Sequence, residues 1–151
     1  MANAGEIMSS PVIAIDSSKS VREAAKVMTM HSIGCLVVRE GEEMAGIITE
    51  RDLLKKVAAV SRNPDETKVS EVMSTKIITV DARADLLEVN DLLYEHKIRW
   101  LPVVADGKVV GIITPRNIMK NLRRIRSRRF VGKEYAQPDY NWHITENVRG
   151  E

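Results

Sequence analysis

The run Gly-Ile-Ile-Thr-Glu-Arg-Asp at 46–52 recurs as Gly-Ile-Ile-Thr-Pro-Arg-Asn at 111–117. In each copy an apolar, strand-like stretch runs into a helix start with Thr at the cap. Two chemistries fit this spacing. One is a capping box: the hydroxyl of Thr49 or Thr114 bonds a backbone N–H, and Asp52 or Asn117 reaches back. Pro115 then sits at the first helical position, where its missing N–H costs nothing. The other is anion binding. A helix start presents free N–H groups and positive partial charge, Arg51 or Arg116 adds a guanidinium suited to phosphate, and the Asp52 or Asn117 oxygen accepts from ribose hydroxyls. A single copy favours the cap, since capping is common. Repetition of Thr, of Arg two residues on and of Asp or Asn three residues on narrows that preference.

The elements that must position these residues are themselves repeated. A shift of 65 places Met8-Ser9 on Met73-Ser74, Asp16 on Asp81, Glu23 on Glu88, His31 on His96, Leu36 on Leu101 and Val38 on Val103, without a gap. Each copy reads as a short strand (Val12–Ile15, Ile77–Val80), a helix opened by a capping box (Ser20 with Glu23, Asp85 with Glu88) and a β-rich run (Cys35–Arg39, Leu101–Ala105). A turn, a returning strand (Met44–Ile48, Val109–Ile113) and a second helix complete the unit. In the second copy the turn is Asp106-Gly107, the strongest short hairpin signal. The order is β-α-β-β-α, an α/β (α+β) fold class. The predicted organisation is a first repeat at 6–60, a polar linker at 61–68, a second repeat at 69–125 and a basic, aromatic tail at 126–151. Strands this short cannot bury both faces alone, so the copies are expected to pack about a pseudo-twofold axis, complete one core, and leave two equivalent clefts at the seam.

The Met-Ser starts, the β-α-β-β-α units, the Leu-Pro-Val-Val strand at 101–104 and the closing Gly-Ile-Ile-Thr-x-Arg-Asp/Asn runs together resemble the CBS domain, in the tandem arrangement called a Bateman module. The resemblance covers about residues 6–125. It implies a non-enzymatic regulatory module that binds AMP, ADP, ATP or S-adenosylmethionine between the copies and passes occupancy on to a protein partner, commonly as a homodimer. No further cofactor is implied. Carried over by position, one cleft takes Ile47, Thr49, Arg51 and Asp52, with Thr75, Ile77, Ile78, Arg99 and Pro102 from the second copy. The other takes Ile112, Thr114, Arg116 and Asn117, with Ser10, Val12, Ile13, Gly34 and Val37 from the first. The first cleft is the better equipped: Asp52 accepts more strongly than Asn117 because charge-assisted bonds are stronger, and Arg99 is matched in the first copy by Gly34.

Composition limits the alternatives. The chain has 151 residues, enough to fold without a disulfide or metal staple, and a single Cys35 excludes a disulfide framework and Cys-based zinc sites. That usage, and the absence of an apolar leader or a 20-residue apolar span, point to a cytoplasmic protein away from the membrane. His31 and His96 fall at helix ends, where the dipole stabilises them, and are poor metal partners for each other. Trp100 stands where the first copy has Cys35 and reads as core or dimer contact, and Cys35 reads as a small buried hydrophobe. No nucleophile elbow, Walker glycine loop or His-x-x-x-His motif is present, so no catalytic residue is assigned.

The net charge of +2 hides an asymmetry. Residues 1–115 carry 14 basic and 17 acidic residues, and residues 116–151 carry 9 and 4. Four of the six aromatics, Phe130, Tyr135, Tyr140 and Trp142, lie in the basic part. Three readings of that part compete: a solvated helix with a tail that packs on its own or a second subunit, docking to a regulated partner protein, and nucleic-acid binding through 123–133. The last is disfavoured because no DNA-binding motif accompanies it.

Overall fold

The computed structural model describes residues 2–125, with side chains to Leu122; the basic side chains from Arg123 on and the aromatic tail at 126–151 lie outside the described residues. The chain opens with a short helix α1 (Ala4–Ile7). Then follow β1 (Ala14–Asp16), α2 (Val21–His31), β2 (Cys35–Glu40), β3 (Glu43–Thr49) and α3 (Glu50–Leu53), which runs on as a π-helical stretch, Leu54–Ala58. The second copy repeats the plan: α4 (Val69–Val72), β4 (Val80–Asp81), α5 (Leu86–Glu95), β5 (Leu101–Ala105), β6 (Lys108–Ile113) and α6 (Pro115–Ile125). The β-α-β-β-α order is as expected, with a short leading helix added to each copy.

Local chemistry explains these boundaries. Ser20 Oγ accepts from the Glu23 N–H and the Glu23 carboxylate accepts from the Ser20 N–H at 3.0 Å, a complete capping box. In the second copy only half of the expected box forms: Asp85 accepts from the Glu88 N–H at 2.9 Å. Asp106 and Gly107 both take positive φ (50° and 75°), as a two-residue type I′ hairpin turn requires. The 61–68 segment is tied to the first copy through Val21 N–H to the Thr67 carbonyl at 2.8 Å and an Arg22–Asp65 ion pair.

Each copy forms a three-stranded sheet, β1-β2-β3 and β4-β5-β6, parallel in the first pairing and antiparallel in the second. The two sheets are joined reciprocally. Ser74 pairs with Ile47 on β3 (2.9 and 2.8 Å), and Ser9 pairs with Ile112 on β6 (2.9 and 3.0 Å). This exchange is the pseudo-twofold relation in hydrogen bonds.

The expectation of one shared core is corrected. There are two. Leu36, Val38, Ile48, Val21 and Met28 centre the first, which also takes Val69 and Val72 from α4. Leu101, Val103, Ile113, Val89 and Leu93 centre the second, which also takes Ala4 and Ile7 from α1. Each leading helix therefore fills the core of the other copy. The sheets are covered on one side by their own helices, and the missing apolar volume is supplied by the exchanged helix rather than by stacking core on core.

Candidate functional site

Two cavities lie at the seam. One, of about 180 Å³, has Ile47, Thr49, Arg51 and Asp52 on one side and Ile77, Ile78 and Arg99 on the other. Seven of the nine residues expected in this cleft thus meet. Thr75 does not line it, although its neighbours Ser74 and Lys76 do. Nor does Pro102, which is fully buried in β5. The second cavity, about 410 Å³, is lined by Ile112, Thr114, Arg116 and Asn117 and by Val12, Ile13 and Gly34. Ser10 and Val37 are not part of its lining; Val37 is buried in β2. The cleft with the more acidic acceptor is the smaller one.

β1 and β4 are shorter than the sequence predicts. Val12 and Ile13, and Ile77 and Ile78, fall outside the named strands and wall the clefts instead. Lys76, Lys97 and Trp100 were not expected in the first cleft, nor Glu50, Cys35 and Trp100 in the second. Lys97 lies in the turn after α5, with a left-handed backbone (φ 52°), so no strand or helix periodicity could have placed it beside Arg99. Trp100, expected as core or dimer contact, is half-buried and lines both cavities. A Cβ on Gly34, the counterpart of Arg99, would stand 2.9 Å from the Glu50 carboxylate and 3.0 Å from the Trp100 ring, so the glycine leaves room for both side chains.

At both helix starts the capping geometry is present. The Thr49 hydroxyl accepts from the Asp52 N–H at 3.2 Å, and Asp52 Oδ2 accepts from the Thr49 N–H and hydroxyl at 2.9 and 3.0 Å. Asn117 Oδ1 takes the same two bonds from Thr114 at 2.8 and 2.9 Å. The copies differ in what the remaining atoms do. Asp52 Oδ1 pairs with Lys56 Nζ at 3.0 Å, and that ammonium also donates to the Val72 carbonyl at the end of α4, at 2.8 Å. Asn117 Nδ2 donates to Ser9 Oγ at 2.9 Å. Each residue therefore caps its own helix and also ties it to the segment that crosses the seam.

Cys35 is 6% exposed at the start of β2. Burial, with a lesser contribution from the negative charge of Asp52, pushes its thiol from an ordinary 9.0 up to about 12. Because the folded state holds this proton more tightly, its contribution to stability is full below about pH 9 and is lost as pH rises towards 12. The thiolate is the reactive form. Native protein at pH 8 is therefore expected to resist iodoacetamide while urea-unfolded protein is alkylated fully. Mass spectrometry after a timed quench reads the difference, and equal rates in the two states would refute the burial argument.

No helix among the described residues is long and apolar enough to cross a membrane. Among the same residues no group of three or more His, Cys, Asp or Glu is placed to hold a metal ion.

Comparison with known families matches the CBS domain twice, at residues 4–59 and 69–124. The chain is 40% identical over 118 residues to an uncharacterised protein of Methanopyrus kandleri, a match covering 77% of this chain and 60% of that one. It is 32% identical to the CBS domain-containing protein YhcV of Bacillus subtilis, over 75% of this chain and 80% of the relative. The match thus spans less than two thirds of the first of these relatives. Among solved structures, an uncharacterised conserved protein from Pyrococcus horikoshii superposes with a TM-score of 0.76 at 27% identity, covering 88% of this chain and 97% of that one. The hexameric CBS-CP12 protein of bloom-forming cyanobacteria gives 0.73 at 31% identity, covering 79% and 70%. CBS pairs are in general ligand-sensing regulatory modules, and two matched domains, two β-α-β-β-α units and two seam cavities place this chain in the CBS-domain family as a tandem pair.

Proposed function

We propose that the protein is a non-enzymatic, cytoplasmic sensor that binds an adenosine-containing ligand (AMP, ADP, ATP or S-adenosylmethionine) in its seam clefts and passes occupancy on to a partner protein. The observation that carries this reading is the pairing, in each cleft, of an apolar wall with a Thr-capped helix start bearing Arg and Asp or Asn. The isoleucines would take the base, and Asp52 or Asn117 the ribose. Arg51 or Arg116, at the first turn of its helix, would take phosphate. Occupancy bears on the Ser74–Ile47 and Ser9–Ile112 bridges, which are the joints between the copies. A homodimer fits the behaviour of CBS pairs, and the cyanobacterial relative is itself hexameric.

A thermal-shift screen with the four ligands tests the reading. A ligand at 100 times its Kd adds about 2.7 kcal/mol to stability, and no shift with any of the four would overturn the proposal. Asp52→Asn is the sharper variant, because Asn117 demonstrates that a carboxamide can cap the helix. The substitution is expected to keep the fold and to weaken binding in the first cleft about tenfold, since charge-assisted hydrogen bonds are roughly twice as strong as neutral ones. Asn117→Ala should cost less affinity. Calorimetric titration of both variants checks the order, and equal losses would sink it.

A further inference from the structure

The two clefts are twins in backbone but not in charge. Arg51, Lys76, Lys97 and Arg99 all line the first and are all exposed at its rim. Among the described residues none of the four has a carboxylate within ion-pair distance; the pairs that form involve other side chains, including the one lining carboxylate, Asp52, which is held by Lys56. The residues that occupy the positions of Lys76, Lys97 and Arg99 in the other copy are Pro11, Ser32 and Gly34, and these line the second cleft. The second cleft keeps Arg116 and Lys120 and adds the carboxylate of Glu50, whose counterpart in the second copy is the uncharged Pro115, which does not line the first cleft. Of the lining side chains, the first cleft has four cations against one carboxylate, and the second has two against one.

Lys97 shows how the same turn arms only one of the two clefts. It holds a left-handed backbone, φ 52°, just after α5. Glycine or asparagine is the low-strain residue for that position. Its counterpart Ser32 holds the same φ of 52° after α2, so the turn belongs to both copies; in the second copy it carries a lysine, which the fold delivers to the rim of the first cleft.

We infer that the clefts divide their ligands by charge: the first selects a polyphosphate, and the second takes a ligand with little net negative charge. This rests on the seam clefts being ligand sites, and it deepens that reading by naming the class for each. Four unpaired cations around one opening repel one another until a polyanion neutralises them. A monophosphate engages Arg51 at the helix start and leaves the outer three without a partner; a chain of phosphates reaches them. In the second cleft, the Glu50 carboxylate opposes an added phosphate.

The test is a calorimetric titration of adenosine, AMP, ATP and inorganic tripolyphosphate into the full chain, at low and at high salt. The expected result for the first cleft is ATP about tenfold or more tighter than AMP at low salt, with the gap closing as salt screens the rim. Lys97→Gly should lower the ratio of ATP to adenosine affinity while holding or raising Tm, an outcome that a merely structural role would not produce. Lys76→Ala with Arg99→Ala should lower the ratio further. Glu50→Gln should tighten AMP in the second cleft. Tripolyphosphate separates this inference from the one beneath it. If tripolyphosphate binds, and the Lys97 and Arg99 variants abolish its binding, the polyanion rim stands even where adenosine fails to bind. If adenosine and AMP bind but ATP and tripolyphosphate gain nothing, the charge division is overturned and the adenosine reading survives.

Discussion

Ile7→Ala is expected to destabilise the protein by about 2–5 kcal/mol, the usual cost of emptying a buried Ile or Leu site, and to do so in the second copy rather than its own. Ile7 is 3% exposed and belongs to the core centred on Leu101, Val103 and Ile113. Its helix is fixed there by backbone bonds as well, Ala4 N–H to the Ala84 carbonyl and Gly5 N–H to the Ala82 carbonyl, both at 2.8 Å. A whole domain has only about 5–15 kcal/mol to lose, so the variant falls within reach of unfolding at ordinary temperature. The distinguishing readout is native-state hydrogen exchange. Amides of β4, β5, β6 and α5 should lose protection before those of β1, β2 and β3. Val72→Ala is the mirror experiment: α4 fills the first core, so protection there should fall first, with a smaller loss because valine leaves a smaller cavity. Loss of protection in the first copy on changing Ile7 would refute the exchange.

That exchange also marks where the sequence stops being legible. The repeat, the element order, the hairpin at Asp106-Gly107 and the capping roles of Thr49 and Thr114 were all readable, because each depends on residues within a few positions of one another. α1 and α4 were not readable. Four residues are too few for helical periodicity, and their apolar positions match the other copy's core, which no local pattern records. The sites show the same division. Ile47, Thr49, Arg51 and Asp52 sit together on one strand-to-helix turn, so spacing alone places them. Pro102 was expected in the first cleft, yet it faces the interior, since the side a strand residue faces is set by the partner sheet. For Trp100 the sequence points to packing, because a large aromatic at a strand start is most often core. A Cβ at Gly34, 66 residues before it, would crowd the Trp100 ring at 3.0 Å and Glu50 at 2.9 Å, a contact across the seam that no local pattern records. Asp52 and Asn117 looked alike as caps; the Lys56 and Ser9 partners that distinguish them come from the π-helical stretch and from the opposite copy.

The seam gives the second large effect. Gly46→Ala is expected to cost about 2–4 kcal/mol, combining the usual overpacking penalty with a weakened backbone bridge. A Cβ at Gly46 would lie 2.7 Å from the Ser74 carbonyl oxygen and 2.9 Å from Met73 Sδ. That carbonyl accepts the Ile47 N–H at 2.9 Å, so it cannot retreat without loosening the bridge between the copies. The twin substitution, Gly111→Ala, would meet the Met8 side chain instead. A thioether can change rotamer where a carbonyl in a ladder cannot, so Gly111→Ala should cost less. Gly46 also lies just before Ile47 and Thr49, and Ser74 just before Ile77 and Ile78, so the displaced bridge separates the two walls of the first cleft. Thermal melts of both variants give the stability order, and ligand titration of Gly46→Ala should show the first cleft weakened and the second spared. If both variants melt alike, the cost comes from strand propensity, which is common to both sites, and the close backbone approach at Gly46 is not what holds the seam.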